Sequence, residues 1–169
     1  MGLLLPRLFL ENITFLTPEM LQRRGISALA LDVDNTLARP KIKTPFPGVC
    51  DWLVGMKAAG IKLVIVSNAL PKRVRPLAED LGLPFISLAC KPFPIALFRA
   101  EKKLGAGRKQ LALAGDQVFT DTLAAKLAGV FSVLVRPGVP EKHWIYRLKR
   151  QLESRIIKRY VVNQKKNRF

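Results

Sequence analysis

An apolar run that ends abruptly on two carboxylates, at residues 28–37, limits this chain to few folds. The segment reads Ala-Leu-Ala-Leu-Asp-Val-Asp-Asn-Thr-Leu, and its acids are Asp32 and Asp34. A continuous apolar run of this length is typical of a strand covered on both faces, as in a parallel sheet. The two acids project to the same side of an extended segment, so together they can hold a divalent cation or divide a nucleophilic role from an acid–base role. The alternative is a turn through Asn35 and Thr36.

Segments with strand character alternate with segments of helical spacing along most of the chain. Strands are predicted at residues 26–33, 61–66, 83–88, 110–114 and 130–135, and helices at 18–25, 49–59, 71–81, 94–104 and 120–127. This alternation predicts an α/β fold, a doubly wound and Rossmann-like sheet of five parallel strands with helices on both faces.

The composition indicates one domain with a substantial core and no membrane-spanning helix. The chain has 169 residues, of which 49% are hydrophobic, and none of its apolar runs is long enough to cross a bilayer. Cys50 and Cys90 lack the spacing of a disulfide framework or a zinc site. The cysteine spacing and the lack of a basic leader typical of a secretory signal lead us to expect a protein of the cytoplasm or an organelle matrix.

Positive charge is concentrated at the carboxyl end. The chain carries 29 Lys and Arg residues against 12 acids, and eleven of the basic residues lie from Arg136 onward. We therefore expect a domain at residues 1–140, with its apolar segment 1–16, followed by a basic amphipathic helix and tail at 141–169. The apolar positions of that helix are Ile145, Leu148, Leu152, Ile156 and Tyr160. The basic face is either solvated or binds a polyanion, which is nucleic acid or an anionic membrane.

Polar residues follow three further strands, at the edge where Asp32 and Asp34 are expected. They are Ser67 and Asn68, then Lys91 in a loop, then Asp116 and Asp121. Carboxylates from two strands suit Mg²⁺, which prefers oxygen ligands. A hydroxyl, a backbone amide and an ammonium group suit phosphate oxygens.

These motifs, in this order, resemble the haloacid dehalogenase superfamily of phosphohydrolases over about residues 26–135. The resemblance implies that Asp32 is the nucleophile that forms an aspartyl-phosphate and that Asp34 is the general acid and base. It also implies that Mg²⁺ is held by Asp32, by the backbone carbonyl of Asp34 and by Asp116.

The same resemblance assigns the remaining polar residues. Ser67, Asn68 and Lys91 are expected to bind the phosphoryl group. Asp121 is expected to support the metal or Lys91, and Thr36 to support the loop after the first strand.

The spacing of the motifs leaves no room for a cap domain, which many members of the superfamily carry. Only 30 residues separate Thr36 from Ser67, and 22 separate Asn68 from Lys91. An uncapped site is open and suits a phosphate carried on a large substrate, such as a protein, a nucleic-acid end or a lipid headgroup.

Within the capless members, the chain resembles the YqeG-type, phosphatidylglycerophosphate phosphatase-like branch. The motifs that carry this resemblance are Thr17-Pro18-Glu19, residues 31–37, Lys91-Pro92 and residues 115–121. It implies removal of the terminal phosphate of phosphatidylglycerophosphate in phospholipid biosynthesis, with the basic tail attaching the protein peripherally to an anionic membrane.

Two other functions fit the open site and the positive charge. One is a phosphatase of nucleic-acid ends or phosphoproteins, and the other is a nucleic-acid or ribosome-associated basic protein with the same fold. Aromatic residues make up only 8% of the chain and are not clustered with basic residues, which disfavours a base-stacking surface. Nucleic acid is therefore the second choice of partner, and the sequence does not indicate an oligomeric state.

Overall fold

A computed structural model describes residues 2–40, 44–140 and 151–160 of the chain. The strands in this part are β1 (Leu8–Leu10), β2 (Ala28–Leu31), β3 (Lys62–Val66), β4 (Phe85–Ile86), β5 (Leu111–Gly115) and β6 (Phe131–Val135). The α-helices are α1 (Pro18–Gln22), α2 (Val49–Ala58), α3 (Pro71–Asp80), α4 (Ile95–Leu104) and α5 (Leu123–Ala128). Short 3₁₀ helices span Ile13–Phe15 and Arg108–Gln110, and a π-helix spans Val118–Thr122 directly before α5.

The six strands form one parallel sheet in the order β1-β6-β5-β2-β3-β4. The predicted α/β class and the parallel, doubly wound sheet are therefore confirmed. The strand order reverses between β2 and β5, which are direct neighbours. In such sheets ligands bind at the carboxyl ends of the strands where the order reverses, and β2 and β5 are the strands that precede Asp32 and Asp116.

The predicted strand count of five is wrong, because Leu8–Leu10 adds a sixth strand at the edge of the sheet. This strand pairs with β6, and the backbone N–H of Arg7 donates to both the carbonyl and the hydroxyl of Ser132. A three-residue edge strand is too short to show the alternation from which strands are predicted. Its pairing depends on β6, which lies more than 120 residues away along the chain.

Helices cover both faces of the sheet, as the alternation predicts. In β2, Leu29 and Leu31 face a core built with α1, α2 and α3, whereas Ala28 and Ala30 face a second core built with α4 and α5. Successive residues of a strand point to opposite faces, which is why a wholly apolar strand fits between two helical layers. The two cores fix β2 on both sides and hold its carboxyl end in place.

Several element boundaries follow the predicted sequence signals closely. Thr17 caps α1 by accepting a hydrogen bond from the backbone N–H of Met20, at 3.3 Å, and Pro18 begins that helix.

No separate folded unit is inserted between the strands within residues 2–40 and 44–140, which agrees with the expected absence of a cap.

The carboxyl-terminal segment at residues 151–160 is helical, as predicted for this half of the tail. The predicted helical residues 141–150, with Ile145 and Leu148, lie outside the described residues, as do residues 161–169. Leu152, one of the apolar positions of the predicted helix, is exposed, and the buried side chain of this segment is Glu153. The domain boundary at residue 140 stays a prediction. No described helix is long and apolar enough to cross a membrane.

Candidate active site

The polar residues that follow β2, β3 and β5 meet at one edge of the sheet. The backbone N–H of Asp32 donates to the carbonyl of Ala114 at 2.9 Å, so the exit of β2 is fixed against the end of β5. Asp32, Ser67, Lys91, Asp116 and Asp121 are all buried. The structure thus brings together the side chains that the sequence placed at the strand ends.

Lys91 is the central cation of this cluster. Its ammonium Nζ lies 2.6 Å from Asp32 Oδ1 and 2.7 Å from Asp121 Oδ1, and it donates to the carbonyl of Val66 at 2.9 Å. Three acceptors satisfy the three protons of the ammonium group, which fixes the direction of a long and otherwise flexible side chain. The predicted support of Lys91 by Asp121 therefore matches a direct ion pair.

The pKa values of Asp32 and Lys91 are both shifted by their buried surroundings. Burial, with smaller contributions from Asp121 and Asp34, raises the pKa of Asp32 to about 7, although Lys91 opposes the shift. Burial alone would lower the pKa of Lys91, but the carboxylates of Asp121 and Asp32 outweigh it and raise that pKa above its usual range. Lys91 therefore stays charged. The buried acids Asp32, Asp116 and Asp121 outnumber Lys91, the cation that is buried with them.

Three carboxylates fit a divalent cation at this edge. Oxygen atoms of Asp32, Asp116 and Asp121 all lie within 4.8 Å of one another. A hard cation such as Mg²⁺ binds carboxylate oxygens, and its charge would offset the excess of buried acid. The predicted set of Asp32, Asp34 and Asp116 differs from this cluster, which contains Asp121 instead of the side chain of Asp34. In the predicted set, Asp34 contributes only its backbone carbonyl.

Gly115 allows Asp121 to approach the end of β5. A Cβ atom at this position would lie 2.3 Å from Asp121 Cγ. Asp121 Oδ2 also accepts from the backbone N–H of Gln117 at 3.1 Å, which ties Asp121 to the turn after Asp116. Close contact between the strand end and the π-helix therefore positions both acids.

Asp34 is held by a residue that the sequence analysis did not single out. Arg73 in the first turn of α3 donates from one terminal nitrogen to both carboxylate oxygens of Asp34, at 2.6 and 2.7 Å. Both side chains are partly exposed, so this pair lies at the mouth of the site rather than beside Lys91. Among 29 basic residues, Arg73 carries no sequence signal that separates it from a solvated cation.

The two residues after β3 hold the loop that carries Lys91. The Asn68 side chain donates to the carbonyl of Lys91 at 3.0 Å and accepts from its backbone N–H at 2.8 Å. Ser67 is buried at the end of β3, and its hydroxyl accepts from the N–H of Ala69. Their contact with a phosphoryl group stays a prediction, and the side chain of Asn68 has a positioning contact that the sequence did not predict.

Thr36 lies buried in the loop after β2. Its backbone N–H donates to the carbonyl of Val33 at 3.2 Å, which closes a turn in that loop. In the part of the chain that the structure describes, its hydroxyl has no hydrogen-bond partner. The backbone contact fits the predicted supporting role, which stays a prediction.

Glu153 is a second residue that the sequence analysis did not single out. Its carboxylate is buried and accepts from the backbone N–H of Val118 at 2.9 Å and of Phe119 at 3.4 Å. These amides begin the π-helix that follows Asp116, so the tail contacts the active-site loop directly. The available signal was the presence of an acid in a strongly basic segment.

A cavity of about 640 Å³ separates this tail segment from the sheet and includes Asp116 in its wall. Arg136, directly after β6, and Lys158 of the tail also line it. Arg136 and one cation of the tail, Lys158, therefore line the same cavity as Asp116.

Comparisons with known proteins match this chain to a family and to a fold. The family model of haloacid dehalogenase-like hydrolases matches residues 5–129. The cobalt-bound structure of a deoxy-D-mannose-octulosonate 8-phosphate phosphatase from Haemophilus influenzae has the same fold, with a TM-score of 0.54 and 20% identity, covering 81% of this chain and 90% of that one.

Two curated relatives carry phosphatase names. The probable phosphatase YqeG of Bacillus subtilis is 37% identical over 153 residues, covering 90% of this chain and 89% of that protein. Phosphatidylglycerophosphate phosphatase 1 of Arabidopsis thaliana is 25% identical over 167 residues, but this chain spans only about half (48%) of that protein. Because the family model covers most of the chain and the Bacillus subtilis protein matches over nearly its full length, the chain belongs to the haloacid dehalogenase-like hydrolases and is a phosphatase.

Proposed function

We propose that this phosphatase removes the terminal phosphate of phosphatidylglycerophosphate, giving phosphatidylglycerol, in a Mg²⁺-dependent reaction through an aspartyl-phosphate. The observation that carries the chemistry is the buried contact between Asp32 and Lys91, with Asp116 and Asp121 beside it. The choice of lipid is supported by the uncapped fold and by the similarity to the Arabidopsis thaliana enzyme.

In the first step, one carboxylate oxygen of Asp32 attacks the phosphorus atom, and the bond from phosphorus to the lipid oxygen breaks. A carboxylate and a phosphate repel each other, and the ammonium of Lys91 reduces this repulsion at the point of attack. Bound at the acid cluster, Mg²⁺ would supply further positive charge to the phosphate oxygens. Ser67 and the backbone after β3 would hold the phosphoryl group in line.

Asp34 handles the protons of both steps. It gives a proton to the lipid oxygen as that oxygen leaves, and then takes a proton from the water that attacks the phosphorus atom of the aspartyl-phosphate. This releases inorganic phosphate and restores the Asp32 carboxylate. The position of Asp34 at the mouth of the site, where its side chain is partly exposed, fits a group that meets both a leaving group and water.

The open edge fits a phosphate that stands on a membrane surface. The described part of the chain has no cap to enclose a small metabolite, so a phosphate on a large body can reach Asp32 directly. The basic tail would add reversible attachment, since each Lys or Arg near an anionic leaflet contributes about 1 kcal/mol. Lys158 of the tail lines the same cavity as Asp116 and is a described cation that could take part in this attachment.

The experiment that tests the substrate is a comparison of phosphate release from three phosphomonoesters. The substrates are phosphatidylglycerophosphate in mixed micelles, a phosphopeptide and an oligonucleotide with a terminal phosphate, each with Mg²⁺ and with a chelator. We expect the lipid to give the highest kcat/KM, and we expect chelation to abolish release from all three.

A preference for the oligonucleotide would contradict the proposal and support the nucleic-acid function, which the high positive charge of the chain also permits. A preference for the phosphopeptide would favour a protein phosphatase. Equal release with and without the chelator would contradict the metal requirement.

A further inference from the structure

Large apolar side chains are exposed around the mouth of the active site. Leu70 and Leu88 are each 52% exposed, Phe93 is 63% exposed and Ile95 is 60% exposed. These four residues, called the apolar rim below, are among the ten large apolar side chains that are exposed in the described residues. Grouped exposure of this kind marks an interaction surface, whereas single exposed residues need no explanation.

The rim lies on the loop that carries Lys91 and on the loop after β3 that holds it through Asn68. Leu70 directly precedes α3, and Leu88 donates its backbone N–H to the carbonyl of Ala69 at 3.1 Å, which joins the two loops. Phe93 lies two residues after Lys91, and Ile95 begins α4. Because these loops follow β3 and β4, the rim is at the carboxyl edge of the sheet, where the acids meet.

The backbone at Leu88 supports a role for its side chain. Leu88 has a φ of 49°, a left-handed conformation that costs a residue with a Cβ atom about 1–2 kcal/mol. Glycine would adopt this conformation without that cost, and a polar residue would suit its exposure. Leu88 adopts this conformation while about half of it stays exposed, so packing inside the chain uses only part of its apolar surface.

Positive charge lies beside the rim. Lys72 and Arg75 follow Leu70 in the first two turns of α3 and are exposed. Apolar and aromatic side chains next to Lys and Arg are typical of surfaces that enter the boundary between lipid headgroups and acyl chains. Anionic headgroups attract the cations, and the apolar side chains leave water.

We infer that the apolar rim inserts into a lipid leaflet and so brings the headgroup phosphate to Asp32 and Lys91. This inference rests on the proposed lipid substrate. It assigns the surface that docks on the membrane to the rim, whereas the proposed function attributes membrane attachment to the basic tail. The rim borders the site on the side of β3 and β4, so the leaflet and the reacting phosphate would be reached in a single contact.

The test is vesicle flotation with phosphatidylcholine vesicles that either contain or lack anionic phosphatidylglycerol. The variant pair Leu88→Ser with Phe93→Ser removes two rim side chains. The matched control, Val54→Ser with Leu127→Ser, removes two exposed apolar side chains from α2 and α5, away from the rim. Thermal unfolding shows whether each variant is folded, and the pair Leu70→Ser with Ile95→Ser gives an independent reading if the first pair unfolds.

We expect each rim pair to lower the partition coefficient onto anionic vesicles by about a hundredfold, since each of its two large apolar side chains contributes about tenfold on leaving water. We expect the control to bind as the unchanged protein does. Unchanged binding of the rim variants, or an equal loss in the control, would overturn the inference, as would absence of vesicle binding by the unchanged protein. If the protein binds vesicles only after a protein extract is added, a protein partner carries the binding, and the inference is also overturned.

The outcome is separable from that of the proposed function. Flotation measures binding and not turnover. If flotation depends on the rim while phosphatidylglycerophosphate is not hydrolysed, the docking surface stands and the proposed substrate fails. If the lipid is hydrolysed in micelles while the rim variants bind vesicles normally, the substrate stands and the docking surface fails.

Discussion

Lys91 shows how single residues set the chemistry of this site. Its ammonium contacts two buried carboxylates, so each partner depends on the other for its charge. Removing the lysine would leave uncompensated buried acids, which typically costs about 3–5 kcal/mol of stability. A Lys91 variant would therefore confuse loss of folding with loss of catalysis, and residues at the mouth of the site are better probes.

Arg73 is such a probe, because it contacts Asp34 and is partly exposed. We predict that Arg73→Ala lowers kcat by about tenfold with little change in stability, since Asp34 then loses the contact that orients it for proton transfer. The measurement is kcat and KM with a soluble phosphomonoester. Lys72→Ala, the exposed neighbour on the same helix, is the control and should change neither. If Arg73→Ala and Lys72→Ala lower kcat equally, the loss reflects the removal of positive charge from α3 and not the contact with Asp34.

Residues at strand ends were predictable from sequence, and residues that act through tertiary contacts were not. Asp32, Lys91 and Asp116 follow recognisable strands, so the sheet topology alone brings them together. Arg73 and Glu153 gain their roles from partners 39 and 35 residues away along the chain. No local pattern distinguishes Arg73 from a solvated charge, and the one signal at Glu153 is that it is an acid in a basic segment. The contacts of both residues are visible only in the folded chain.

At the scale of elements, the segment from β5 to α5 carries most of the acid cluster. It holds Asp116 and then, one π-helical turn later, Asp121. The first amide of that turn, at Val118, is buried and donates to Glu153, and the partly buried amide of Phe119 donates to the same carboxylate. A tail that sequence composition describes only as basic is thus attached to the site by its buried acid.

We predict that Glu153→Ala raises the Mg²⁺ concentration needed for half-maximal activity by about tenfold, because the loop bearing Asp116 loses its restraint. It should also lower the free energy of unfolding by about 1–3 kcal/mol, the typical cost of an unpaired buried donor. Glu153→Gln should recover most of the Mg²⁺ response, since its amide oxygen still accepts from both N–H groups. Metal titration of activity, beside thermal unfolding, makes the comparison.

The control for that experiment is Ser154→Ala, which changes the adjacent exposed residue and should leave the Mg²⁺ response as it is. If Glu153→Ala lowers stability but leaves the Mg²⁺ response unchanged, Glu153 is structural only, and the coupling between the tail and the acid cluster is wrong.

At the scale of the whole molecule, two apolar cores and a parallel sheet place every candidate group at one edge. The fold class was predictable because each strand is an apolar run bounded by helical segments. The sixth strand was not predictable, since a three-residue edge strand is identified only through its pairing with β6. The apolar rim and Lys158 of the tail adjoin the same edge, which supports the proposed action on a charged lipid surface.

The measurement that tests the central claim most directly is phosphate release by Asp32→Asn at saturating Mg²⁺. Asparagine keeps an oxygen that accepts from Lys91 but provides no carboxylate nucleophile. We predict that release falls by about a thousandfold or more while the protein stays folded, as loss of a covalent nucleophile requires. Mg²⁺-dependent release within about tenfold of the unchanged protein would contradict the assignment of Asp32 as the nucleophile.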